Sequence, residues 1–232
     1  MFVLPLKTVA QNEAKVFINV DKSLSMPSNS VKQGKHLAKV VKKHTKNKKT
    51  VVFEIRFINA NTSSASNSKV FIYKEPEYKG SGDDELHKVL HQNKIKRKRA
   101  SVAKRIVKFI NQYKAEAKFT NIVSSIIPIS KAQSDEVYVY YYTDGVESSR
   151  EIRMLDLHPL KTTKVAVQSA KKDVEKIHTL FNLSKELKNI KNVQFILPMQ
   201  MGRKVKGGDF IEEYLREIFK GFGVTNVQFQ TL

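Results

Sequence analysis

The sequence predicts an α/β domain with a doubly wound, mostly parallel central sheet, strand order 3-2-1-4-5-6, and helices on both faces. Apolar segments of strand length alternate with segments whose apolar residues recur at helical spacing, which is typical of βαβ units. Segments 50–58 and 69–74 are joined by a polar loop without a helix, so the third strand should be antiparallel. The nearly continuous apolar segment 137–142 suits a central strand that is buried on both faces.

The first half of the chain is predicted to contain three strands and three helices. Residues 15–20 form the first strand, and residues 30–43 form a helix because their apolar residues recur at i, i+3, i+4 and i+7. After the hairpin of 50–58 and 69–74, residues 83–93 form a helix whose acidic first turn suits the helix dipole. Residues 101–113 form a separate helix, with one apolar side of period 3.6.

The second half is predicted to complete the sheet with three more strands. Thr120 opens a short helix that Pro128 should end or kink, and 137–142 is the fourth strand. Residues 164–189 are helical, with a break near 182–184, and lead into the fifth strand at 193–197. The last helix starts at Asp209 with a capping box and is ended by glycines 221 and 223, and 227–229 is the final strand.

Length and composition indicate one globular domain. The 232 residues, 41% hydrophobic and 28% charged, can bury one sizeable core, which we assign to 15–232. Residues 1–14 are predicted to be a flexible lead-in and a possible remnant of a signal peptide, because Thr8-Val9-Ala10 resembles the end of a cleavage site. We expect a cytoplasmic protein as the sequence stands, and an exported one if Met1 is a mis-called start. No apolar run is long enough to span a bilayer.

The charge of the chain is strongly positive. A formal net charge of +20 fits an anionic partner such as nucleic acid, an acidic protein or a membrane surface, and equally a lysine-rich proteome. The sharpest basic cluster is Lys96, Arg97, Lys98 and Arg99, a candidate surface for an anionic partner. Runs of this kind are more often solvated surface, and no interleaved aromatic residues suggest base stacking. Non-specific binding of nucleic acid remains an alternative function.

Polar side chains with oxygen donors follow two of the predicted strands. Asp21, Ser23 and Ser25 come directly after the first strand, and Asp144 follows the fourth strand within Thr143-Asp144-Gly145. In the strand order 3-2-1-4-5-6 these two strands are neighbours, and their carboxyl ends border the crevice at the switch point. Thr120 lies in a loop that can reach the same edge. Carboxylate and hydroxyl oxygens suit a hard cation such as Mg²⁺ or Mn²⁺.

This pattern resembles the metal-ion-dependent adhesion site of a von Willebrand factor A-type (vWA) domain. The resemblance implies that Asp21, Ser23, Ser25, Thr120 and Asp144 bind Mg²⁺ or Mn²⁺, some of them through water. It also implies a protein-binding module, for adhesion or as a scaffold, that captures an acidic group of a protein partner through the metal. The chain would then not be an enzyme. Leu24 stands where the family commonly has glycine, and the stretch from 25 to 120 is longer than usual.

Two other interpretations of the same residues stay open. Asp21 could be the nucleophile of a Mg²⁺-dependent phosphatase of the haloacid dehalogenase kind, but the position of its general acid holds Ser23, a hydroxyl that cannot supply a proton at neutral pH. The hydroxyls and Asp144 could also do no more than cap helices at the strand ends. Dinucleotide and phosphate loops are absent from the sequence.

Overall fold

The computed structural model describes residues 13–23, 30–59, 62–80, 84–114, 120–149, 151–155, 157–183, 187, 189–197 and 208–232. The main sheet has six strands, and when these six are counted along the chain their spatial order is 3-2-1-4-5-6, as predicted. Its strands are β1 (Glu13–Asp21), β2 (Thr50–Ile58), β3 (Ser68–Lys74), β4 (Glu136–Tyr142), β7 (Ile190–Leu197) and β8 (Val227–Thr231). Residues 13 and 14, expected in the lead-in, belong to β1, and residues 1–12 lie outside the described ranges.

The pairing of the strands explains where the chain turns. Within the six-stranded sheet, β2 and β3 pair antiparallel, as the helix-free loop between them predicted, and the other neighbouring strands are parallel. Val20 of β1 stands opposite Tyr142 of β4, so these two strands end at the same level. The chain leaves β1 toward β2 and leaves β4 toward β7, which makes the carboxyl ends of β1 and β4 the switch point of the sheet.

Helices cover both faces of the sheet, as predicted, and each face has its own apolar core. One core lies under α1 (Ser30–Thr45) and α2 (Glu85–Gln112), through residues such as Leu37, Val41, Val102 and Ile106. The other core lies under α3 (Ile126–Ser130), α4 (Thr163–Phe181) and α5 (Gly208–Gly221). No helix in the described part of the chain is long and apolar enough to cross a membrane.

The prediction of two separate helices at 83–93 and 101–113 is wrong. The structure has one continuous helix, α2, whose amino end is capped by the carboxylate of Asp84. The apolar periodicity lapses between the two predicted helices because the connecting residues are basic and mostly exposed. Lysine, arginine and alanine are nevertheless good helix formers, and neither glycine nor proline interrupts them. The helix therefore continues through Lys96, Arg97, Lys98 and Arg99.

Four further details of the structure bear on the predictions. Thr120 does not open a helix, because a 3-10 turn begins only at Val123 and α3 follows it. Pro128 lies within the first turn of α3, where a missing N–H is tolerated, and the helix continues to Ser130. The break predicted near 182–184 is present, because α4 ends at Phe181 and Asn182 adopts the left-handed conformation, φ 47°. The helix does not resume at residues 187 and 189, and β7 starts at Ile190. A small hairpin of β5 (Ser148–Ser149) and β6 (Arg153–Met154) was not predicted.

Candidate functional site at the switch point

The carboxyl end of β1 places a buried carboxylate at the switch point. Asp21 is the last residue of β1, and it is buried, with only 3% of its surface exposed. Its Oδ1 accepts a hydrogen bond from the N–H of Ser23 at 2.8 Å, which closes a tight turn after the strand. Burial raises the pKa of Asp21, although hydrogen bonds from Ser23 and Thr143 oppose the shift. The site is therefore an environment in which a nearby positive charge would stabilise the carboxylate.

The residues that follow β4 meet Asp21 directly. The hydroxyl of Thr143 donates to Oδ2 of Asp21 at 2.8 Å and accepts from the N–H of Gly145 at 3.1 Å. Asp144 is almost fully buried, and its Oδ1 accepts from the N–H of Val146 at 2.9 Å. Gly145 has φ +80°, a conformation that lets the chain turn sharply after Asp144. The two ends that the sequence predicted to share a crevice thus lie side by side.

Thr120 is held beside the segment that follows β4. Its N–H donates to Oγ of Ser148 at 2.7 Å, and its carbonyl oxygen accepts from the N–H of Ser148 at 2.8 Å. Thr120 itself is buried. These two hydrogen bonds hold the loop of Thr120 against Ser148, which follows Asp144 by four residues in the chain. A role of the Thr120 hydroxyl as a ligand stays a prediction, and Ser25 lies outside the described residues.

Glu147 fastens the same loop and was not singled out from the sequence. Its Oε2 accepts hydrogen bonds from the N–H groups of Ile122 at 2.8 Å and Val123 at 3.1 Å. The side chain is fully buried, and its Oε1 has no hydrogen-bond partner among the described residues. Desolvation raises the pKa of Glu147 to about 8, against the opposing effect of hydrogen bonds from Val123, Ile122 and Ser149. No periodic pattern surrounds Glu147 in the sequence, so burial alone reveals it.

A charged network fixes the short hairpin to two helices. Nε of Arg153 on β6 donates to Oδ2 of Asp173 on α4 at 2.5 Å, and the Tyr214 hydroxyl on α5 donates to the same oxygen at 2.9 Å. Because Asp173 is buried, its hydrogen bonds with the guanidinium and the phenol are less screened by solvent than a surface ion pair would be. The segment from Asp144 to the hairpin is therefore anchored to α4 and α5.

Asn19 is a second polar group that the sequence did not bring forward. It is fully buried in β1, two residues before Asp21 and on the same face of the strand. Its register partners are Arg56 on β2 and Tyr141 on β4. Both polar atoms of its side-chain amide lack hydrogen-bond partners in the described part of the chain. Buried side-chain amides usually have hydrogen-bond partners. Among the described residues, Asn19 therefore adds an unpaired buried amide to the polar residues near Asp21.

The residues present fit a hard divalent cation by the chemistry of their donors. Within the described ranges no group of three or more His, Cys, Asp or Glu forms a metal cluster, so a metal here would depend on two carboxylates completed by hydroxyls and water. Asp21 accepts hydrogen bonds from the N–H and hydroxyl of Ser23 and from the hydroxyl of Thr143. A carboxylate has about four acceptor positions, so the hydrogen bonds from described residues leave Asp21 capacity for one further interaction. Oxygen donors of this kind select Mg²⁺ or Mn²⁺ over softer metals.

The basic cluster predicted as an anionic-partner surface lies away from this crevice, on the outer side of α2. Lys96, Arg97 and Lys98 are exposed. Arg99 is only half-exposed, because its Nη2 donates to the carbonyl oxygens of Thr45 at 2.7 Å and Lys46 at 3.4 Å. Arg99 therefore donates hydrogen bonds to carbonyl groups at the carboxyl end of α1, and this contact stabilises the fold.

Comparisons with known proteins add a faint structural similarity. No family model matches the sequence, and no curated protein does. The pilus adhesin SpaC from Lactobacillus rhamnosus GG, in an open conformation, aligns with TM-score 0.43 and 10% identity, covering 94% of this chain and 28% of that chain. The human COPII-coat protein Sec24c aligns with TM-score 0.39 and 12% identity, covering 96% and 30%. The chain spans less than a third of either protein, and similarity at this level assigns neither family nor function.

Proposed function

We propose that the crevice at the carboxyl ends of β1 and β4 binds Mg²⁺ or Mn²⁺ and captures an acidic group of a protein partner. Asp21 and Asp144 would hold the cation, together with hydroxyls of Ser23, Ser25 and Thr120. The observation that carries the proposal is the direct contact at the switch point, where Thr143, the neighbour of Asp144, donates to the buried carboxylate of Asp21. The motif's resemblance to a metal-ion-dependent adhesion site supports the same assignment.

The charge balance favours an acidic ligand. Two aspartates and one divalent cation are formally neutral together, so an incoming carboxylate meets no excess of negative charge. When bound, such a cation offers a coordination position at which a partner's carboxylate can replace a water. The chain's own residues contribute the buried carboxylates and a rigid turn, since Asp21 and Thr143 hold each other in place.

The proposal makes the chain a binding module and not an enzyme. A phosphatase that used Asp21 as nucleophile would need an acid two residues later, and Ser23 occupies that position. Both carboxylates have hydrogen bonds from backbone N–H groups, an arrangement that orients oxygen atoms toward a ligand. We therefore expect no turnover of a generic phosphate ester in the presence of Mg²⁺.

The metal is tested by thermal unfolding with and without Mg²⁺ or Mn²⁺. A ligand at one hundred times its dissociation constant stabilises the folded state by about 2.7 kcal/mol, or roughly 5 to 10 °C in Tm for a chain of this size. Asp21→Ala and Asp144→Ala should each abolish this shift. Asp135→Ala is the matched control, because Asp135 is exposed and precedes β4. If Asp21→Ala does not fold, Asp21→Asn removes the same negative charge while it conserves the shape of the side chain.

The acidic ligand is tested with a random peptide library displayed on phage. The library is selected on the protein in Mg²⁺ and eluted with EDTA, with Asp21→Ala as the counter-selection. Enrichment of Asp- or Glu-containing peptides on the unmodified protein alone would support capture through the metal. A metal shift that persists in both aspartate variants would refute the site, and peptides retained in EDTA would refute the bridging role.

A further inference from the structure

We propose that the outer face of α1 and α2 binds the phosphate backbone of duplex nucleic acid without sequence specificity. The proposal is independent of the metal site. It starts from an uneven distribution of charge along the chain. Residues 22–53 and 86–115 contain nineteen Lys and Arg and no Asp or Glu, while the rest of the chain contains 23 basic and 22 acidic residues. Almost the whole net charge of +20 therefore belongs to two segments.

The fold brings these two segments together on one face of the sheet. The helices α1 and α2 are their main structured parts, and both pack on the same core. Gly34 near the start of α1 lies against Val107 near the end of α2, and Thr45 at the end of α1 accepts a hydrogen bond from Arg99. The two helices therefore run antiparallel, and their basic residues form one continuous surface, here called the basic face.

The charges of the basic face point to solvent. All lysines of α1 are exposed, and so are the Lys and Arg residues of α2 apart from Lys88 and Arg99. Acidic residues outside the two segments pair with Lys48, through Glu136, and with Lys88, through Glu85. The exposed cations of the basic face attract counterions from the solvent. Release of condensed counterions from nucleic acid is the dominant favourable term when such a surface meets phosphates.

The dimensions and the composition favour nucleic acid over a membrane. The 28 residues of α2 extend about 42 Å, slightly more than the roughly 34 Å of one helical turn of duplex DNA. Stable docking of a folded surface on lipid needs apolar insertion beside the charge. Among the described residues, the exposed large apolar side chains of these two helices are Val31 at the start of α1 and Leu86, Val89 and Leu90 in the first turns of α2. Because the helices run antiparallel, these two groups lie at opposite ends of the basic face. Lysines act as point charges toward phosphate, and within the described ranges the exposed large aromatic beside α2 is Tyr78, whose ring packs against His91 of that helix.

The test measures binding of two unrelated 24-base-pair DNA duplexes by fluorescence anisotropy at several salt concentrations. Six or more phosphate contacts predict a 10³-fold or larger loss of affinity between 50 and 200 mM salt, and equal affinity for both sequences. Changing Lys94, Lys96, Arg97 and Lys98 to Gln should weaken binding at least ten-fold and reduce the salt slope by about 3 to 4. Glutamine is also a good helix former, so α2 should persist.

The matched control removes the same charge from the opposite face. Lys164, Lys171, Lys172 and Lys176 are exposed on α4, and their change to Gln should alter affinity less than two-fold. EDTA and Asp21→Ala should leave duplex binding unchanged, which separates this surface from the metal site. Equal losses in the α2 and α4 variants would overturn the proposal, because they would show a response to net charge alone. Tighter binding to vesicles with 30% phosphatidylserine, or to polyglutamate, than to duplex at the same salt would also overturn it.

Discussion

Glu147 should make the folded protein less stable as the pH rises from 6.5 to 8. Its pKa is raised to about 8 in the folded state because the carboxyl is buried, while the ordinary value is 4.5. Between these values the folded state holds a proton that the unfolded state has lost. Stability contributed by the neutral carboxyl is therefore complete below the unfolded pKa and is lost as the pH rises through the folded pKa.

The window is chosen so that histidine does not mask the effect. Burial lowers the pKa of His44 to about 4 and also lowers the pKa of His36, so these histidines cost stability mainly as the pH falls through their unfolded value of 6.5. From pH 6.5 to 8 Glu147 should dominate, with a loss of roughly 1 to 2 kcal/mol in the free energy of unfolding. For a chain of this length the loss corresponds to a fall in Tm of about 5 °C.

Urea unfolding at half-unit steps of pH measures the slope directly. Glu147→Gln keeps the shape and the acceptor oxygen and has no carboxyl to titrate, so its stability should be level across the window. Glu175→Gln changes an exposed glutamate of α4 and should keep the slope of the unmodified protein. A slope that survives in Glu147→Gln would refute the assignment of the raised pKa to this side chain.

Two further expectations concern packing and backbone conformation. The His44 Nε2 is paired with the Tyr140 hydroxyl at 2.7 Å, so Tyr140→Phe should leave a buried nitrogen unpaired and lower stability at pH 7 by about 1 to 3 kcal/mol in urea unfolding. Gly145 has φ +80°, and Gly145→Ala should destabilise by at least 1 to 2 kcal/mol, whereas Gly34→Ala within α1 meets only ordinary contacts and should be neutral or stabilising by up to about 1 kcal/mol. Calorimetry of the two alanine variants compares them directly, and equal effects would contradict the reasoning.

The order of the sheet was accessible from sequence because each strand is a short apolar segment bounded by polar residues. The hairpin of β2 and β3 followed from the polar loop, and β4 from its unbroken apolar run. The sequence prediction wrongly divided α2 into two helices. Apolar periodicity indicates which side of a helix is buried, and most of the basic residues in the middle of α2 are exposed. The small hairpin of β5 and β6 escaped because strands of two residues have no detectable period.

The site was predictable in part for a similar reason. Strand ends can be located from sequence, so the meeting of Asp21 with the residues after β4 could be expected from topology. Glu147 and Asn19 could not be found in this way, because their importance lies in complete burial without full hydrogen bonding. Burial of a polar side chain depends on what the rest of the chain packs over it, and no local pattern encodes that.

The continuous helix α2 should open unevenly. Its first buried residue is Ile95, and the following ones are Val102, Ala103, Ile106 and Ile110, so the amino-terminal turns have no core contact of that kind. Like charges four residues apart, as in Lys94 with Lys98 and Lys104 with Lys108, weaken a helix further. Amide hydrogens before residue 95 should therefore exchange through local fraying, while those from 102 to 110 should exchange only when the domain unfolds. A polyanion on this helix would remove the repulsion and slow exchange in the first turns.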